Sequence, residues 1–92
     1  MYLQGNLQAV FDALYHLGVI DPVLEMDWSQ AMEKMHEHAD QFSRIVAVAN
    51  RHQDDVNELM DHLGQFDEDT LKYLAMEVAR EYADFHSRQE IH

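Results

Sequence analysis

Apolar residues recur along this chain in alternating steps of four and three. Leu3, Leu7, Val10, Leu14 and Leu17 make the first such stripe, and Phe11 widens it. At about 100° per residue this rhythm lays the apolar side chains on one face of a helix. The pattern predicts a helix from Leu3 to Leu17. Gly5 weakens its first turn and Gly18 ends it as a left-handed residue past the C-terminus. His16, in the last turn, is placed as a cap partner for the final carbonyls rather than as a ligand.

Asp21-Pro22 reads as an N-cap followed by proline at the first helical position, giving a short helical turn from Pro22 to Met26. Asp27 caps again, with Gln30 at capping-box distance. Trp28, Met32, Met35, Ala39, Phe42, Val46 and Ala49 then keep the four-three rhythm, with Ala31 and Ile45 beside it. No Gly or Pro interrupts, so the pattern predicts one helix from Trp28 to Asn50. The polar stretch His36–Gln41 is the place where it would kink or divide. Asp54 or Asp55 caps a compact helix carrying Val56, Leu59, Met60 and Leu63, with Asp55 and Glu58 at capping-box spacing, and Gly64 stops it.

The last helix has the clearest start. Asp67 is its N-cap, Glu68 and Asp69 sit at the positive end of the helix dipole, and Phe66 and Leu71 are spaced for a hydrophobic staple. Leu71, Leu74, Ala75, Val78, Tyr82 and Phe85 form its core stripe. Lys72, Glu77, Arg80, Asp84, Ser87 and Arg88 form the polar side, with Arg80, Asp84 and Arg88 spaced for pairing along the helix. Tyr73, Met76 and Ala83 fall on that polar side too. Either a neighbouring helix covers them, or they are a surface for self-association or for a partner.

These elements predict a single all-α domain over residues 1–92: a small bundle of four main helices plus a short helical turn, with a long C-terminal helix. An unbroken Trp28–Asn50 helix would be about 34 Å long. It would overhang a globule with a radius of gyration of roughly 12 Å. That overhang, together with Tyr73 and Met76, points to a homodimer.

Charge changes the picture most. Eighteen Asp and Glu against six Lys and Arg leave a net charge of −12. Such a chain repels nucleic-acid phosphates and anionic lipid, so neither nucleic acid nor membrane is an expected partner. No stretch is apolar and long enough to cross a bilayer, and no basic residue precedes an apolar run at the N-terminus as in a signal peptide. The expected setting is cytoplasmic. The absence of cysteine removes disulfides, thiolate catalysis and sulfur-ligated metals together.

Seven histidines among the acids raise a metal reading. Glu33, His36, Glu37 and Asp40 are the densest group, and Glu33 and His36 have the Glu-x-x-His spacing of carboxylate-bridged di-iron bundles. A second copy of that motif is missing, and the group projects away from the Trp28–Met35–Phe42 stripe. These residues are therefore weak metal candidates, and no cofactor is expected. His62, four after Glu58, and His86, four before Glu90, read as ordinary helix-surface pairs. His92 is a lone terminal histidine. Three Ser and one Thr lie outside any nucleophile-elbow context, and no glycine-rich loop cradles a phosphate. The sequence reads as a non-enzyme acting through protein–protein interaction, as a homodimer. An acidic decoy that mimics nucleic acid toward a basic protein is the alternative, and a metal-binding bundle is the lesser one.

Overall fold

A computed structural model describes residues 3 and 5–90, with side chains up to residue 83. Among the described residues there are six helices and no strand: α1 (Leu7–His16), α2 (Ile20–Glu25), α3 (Trp28–Glu37), α4 (Ala39–Arg51), α5 (Val56–Leu63) and α6 (Glu68–Glu90). The all-α class is as the periodicity predicts.

Helix α6 is the hub. It packs against α1, α2, α3 and α4, while α5 is held by α1 and α4. Its start is the predicted one: the Thr70 N–H donates to Asp67 Oδ2 at 3.2 Å, and the Thr70 hydroxyl donates to Oδ1 at 2.6 Å. The Thr70 hydroxyl bond is the leading reason that the Asp67 carboxyl titrates below its ordinary value. From Thr70 to Val78 every residue of α6 except Lys72 is buried. A helix that is apolar nearly all round is one enclosed by neighbours.

This encirclement corrects the expectation for Tyr73 and Met76. They are 4% and 1% exposed, sealed inside the chain by the helices around α6. The Tyr73 ring stacks on the His38 ring at 6.3 Å, and burial raises its phenol above the ordinary value, helped by Asp69 and Asp67. Of the three residues read as an interaction surface, Ala83 alone is exposed. Glu77, read as part of the polar side, is buried as well.

The long middle helix is also corrected. It divides at His38, whose φ of −113° and ψ of 39° leave the helical well, while its N–H still reaches Lys34 O and Met35 O. The break lies in the polar stretch where no apolar side chain holds a straight course. It lets α3 bury Ala31 and Met35, and lets α4 bury Phe42, Ile45, Val46 and Ala49, in a globule of only 12.7 Å radius of gyration. The overhang that motivated a dimer is absent.

Smaller departures have equally local causes. Helix α1 begins at Leu7, four residues later than predicted, because Asn6 caps it by accepting the Ala9 N–H and Gly5 turns the chain at φ 83°. A Cβ at Gly5 would also run into Gln53 Oε1. Gly18, at φ 80°, ends α1 as predicted. Helix α2 starts at Ile20 rather than at Pro22, which is tolerated because an N–H in the first turn has no intrahelical acceptor. The Trp28 indole N–H donates to Val23 O at 2.7 Å, tying α2 to α3, and the ring is only half-buried. No helix among the described residues is long and apolar enough to cross a membrane. Phe85, the Arg80–Asp84–Arg88 pairing, His86 with Glu90, and His92 lie outside the described side chains.

Candidate functional site

With Tyr73 and Met76 buried, apolar side chains reach the surface singly at Leu24 of α2 and as an aromatic cluster where α1 meets the middle of α6. Phe11 and Tyr15, one turn apart on α1, stack with centroids 6.4 Å apart. Tyr82 of α6 meets the Phe11 ring edge-on at 5.7 Å and an 89° interplanar angle. Tyr15 is 58% exposed, whereas Phe11 and Tyr82 are half-buried. Gln8, Phe11, Ala79 and Tyr82 line a shallow, mainly apolar groove, and exposed Ala83 adjoins Tyr82 on α6.

The groove's rim is polar and acidic. The Tyr82 hydroxyl donates to Gln8 Oε1 at 3.0 Å, and the Gln8 amide donates to Asp12 Oδ1 at 2.8 Å. Burial, and then the nearby Asp12 charge, hold the Tyr82 phenol above its ordinary value. The apolar stripe of α6 predicts Tyr82 as a core residue. It lies at the margin of the stripe, with one side on Phe11 and its hydroxyl at the surface. Rings with an apolar body and a polar tip suit a contact surface that is part wet and part dry.

One turn inside this face lies a buried acid pair. Glu77 and Glu81, each 2% exposed, are neighbours on α6. Both Glu77 oxygens accept from Arg80 Nη2, at 2.7 and 2.9 Å. Glu81 Oε2 accepts the Leu3 N–H at 3.2 Å, while its buried Oε1 meets no donor among the described residues. Burial, followed by hydrogen bonding to Glu77, raises the Glu81 carboxyl from 4.5 to about 7. A proton on Glu81 turns an acceptor without a donor into a donor to Glu77, which is the physical content of that rise. Glu81 ties the Leu3 backbone to the stretch of α6 that carries Tyr82.

The weak metal candidates do not converge. Glu33, His36, Glu37 and Asp40 are all exposed, and the break at His38 puts Asp40 on a different helix from the other three. Among the described residues, His52, Glu58 and His62 instead bring one ligand atom each to within 4.8 Å of one another. Glu58 and His62 were read as a surface pair, which they are, at 3.9 Å. Nothing in the sequence joins His52 to them, because its six-residue separation from Glu58 matches no helical period. The available signal was the short capped turn between two helices, which brings the end of one back to the start of the next. For the aromatic face it was the i,i+4 spacing of Phe11 and Tyr15 beside the α1 stripe.

Compared with family models, with curated proteins and with solved structures, the chain matches none.

Proposed function

We propose that this protein is a non-enzymatic interaction module whose α1–α6 aromatic face receives a cationic, apolar-anchored helical segment of another protein. The observation that carries this reading is the cluster of Phe11, Tyr15 and Tyr82 at the surface of a chain with net charge −12. Tyrosines are favoured at contact surfaces because they bring large area at low conformational cost, and their faces attract Lys and Arg. Asp12 at the rim favours the same cations. A second copy of the chain would bring a surface of the same sign, which disfavours self-association. The decoy reading shares the acidity but gives the aromatic face no use.

A labelled synthetic amphipathic helix of Leu and Lys, followed by fluorescence anisotropy, tests the reading. Binding is expected, with none for the same pattern written in Leu and Glu. Tyr15→Ser, at an exposed position, should weaken it about tenfold, the effect of losing roughly 1.4 kcal/mol at a contact anchor. Binding of the Lys peptide that ignores Tyr15→Ser would remove the aromatic face from the interaction.

A further inference from the structure

We infer that His52, Glu58 and His62 form a binding site for one divalent transition-metal ion of the zinc group, clamping the turn between α4 and α5. The three groups are brought together by capping. His52 ends α4, its N–H donating to Val48 O at 3.1 Å. Three residues later Asp55 starts α5, its side chain accepting the Asn57 N–H at 2.9 Å and the Glu58 N–H at 3.4 Å. Glu58 therefore faces back toward His52, and His62 stands one turn above Glu58 on the same side of α5. The turn is pinned from outside by Gln53, whose Oε1 accepts the Asn6 N–H at 2.8 Å and whose amide donates to Asn50 Oδ1 at 3.1 Å.

The donor atoms are suited to such an ion. His52 Nδ1 lies 3.0 Å from Glu58 Oε1, and His62 Nε2 lies 3.9 Å from the same oxygen. Zinc holds imidazole nitrogens at about 2.0–2.1 Å and carboxylate oxygens at about 2.0–2.2 Å, in near-tetrahedral order. Ligand atoms around it therefore stand about 3.3–3.6 Å apart, so the His52–Glu58 edge must open by a few tenths of an ångström and the His62–Glu58 edge must close by about half an ångström. Two imidazoles and one carboxylate leave a coordination position open to water or to a group from a partner. The exposed Asp54, Asp55 and Asp61 add negative potential around the turn.

The present arrangement of the rings makes the binding step specific. They stack with centroids 3.8 Å apart and planes only 13° from parallel. Parallel stacked rings cannot both aim a lone pair at one ion. Binding requires His52 to carry its proton on Nε2, leaving Nδ1 free to ligate, and requires the His62 ring to swing off the stack. His62 is 41% exposed and Glu58 54%, so both can move without opening the core.

The test is calorimetric titration of zinc chloride into protein prepared without a histidine tag, near neutral pH, with urea midpoints read in zinc and in chelator. One ion per chain and a zinc-raised midpoint are expected. His52→Ala and His62→Ala should each weaken uptake about tenfold or more, while His36→Ala should leave it unchanged. Ring-proton spectra of the unmutated protein read the site independently of any variant. The His52 and His62 resonances should shift together and lose their mutual ring-current shielding as zinc is added. Uptake that persists in the double His52→Ala/His62→Ala chain, uptake lost with His36→Ala, or a stack undisturbed by zinc would each overturn the inference.

Discussion

Replacing Glu81 by Gln should change how the stability of this protein depends on pH, and the size of the change follows from the structure. Glu81 is 2% exposed, beside the equally buried carboxylate of Glu77, and its carboxyl titrates at about 7 in the fold against 4.5 in water. Between those values the folded chain keeps a proton that the unfolded chain has released. Stability therefore falls as pH rises through that window, and is flat with respect to this group above it. At about 1.36 kcal/mol per pH step, the rise from 4.5 to about 7 amounts to about 3 kcal/mol. In Glu81→Gln the new side chain would mimic the protonated acid: its carbonyl accepts the Leu3 N–H and its amide donates to Glu77. Urea unfolding followed by helical circular dichroism, at about pH 5 and about pH 8, reads the difference. With a slope of about 1–2 kcal/mol per molar urea for a small domain, the unmutated protein should lose about 1.5–3 M of midpoint across that interval relative to Glu81→Gln. Repulsion among the remaining acids acts on both proteins and cancels. Equal pH slopes for the two would refute the argument that Glu81 is protonated in the fold.

Other consequences are simpler to read. Asp67→Ala should cost about 1 kcal/mol by removing the α6 cap. Because its carboxyl titrates below the ordinary value of 3.8, that contribution should be present near neutral pH and disappear on acidification below it. Leu74→Ala, at a fully buried position in the hub helix, should cost about 3 kcal/mol in the same urea assay, whereas Leu24→Ala, 62% exposed, should cost almost nothing. Gly5→Ala should destabilise by about 1 kcal/mol or more, because φ 83° is strained for any side chain and Gln53 stands in its way. Light scattering should give the mass of one chain, 10.8 kDa. A dimer that Tyr15→Ser dissolves would instead put a second copy on the aromatic face.

The helix ends were the most legible part of this fold. Asp27, Asp55, Asp67 and Gly18 act where local chemistry alone places them, because a cap needs only its own turn. Apolar stripes were legible as helices, but their widths were not. Tyr73 and Met76 look misplaced on a helix with one covered face and ordinary on a helix enclosed by four others, and the number of neighbours is a tertiary quantity. Glu77 and Glu81 carried a readable warning, since they fall three and seven residues after Leu74, on its side of α6. The helical rhythm that continued past His38 hid the division of α3 from α4, where packing on α6 outweighs the continuity of the pattern. His52 joins Glu58 and His62 only once the Asp55 cap has set the turn.

The surface of Phe11, Tyr15 and Tyr82 is proposed as the place where this protein meets its partner. Backbone amide spectra recorded while the Leu/Lys helix is added test that proposal most directly. Shifts are expected to concentrate on α1 from Gln8 to Tyr15 and on α6 from Ala79 to Ala83, saturating together. Shifts spread over the acids of α3, α4 and α5 with that face unmoved would mean that charge alone attracts the peptide, and would contradict it.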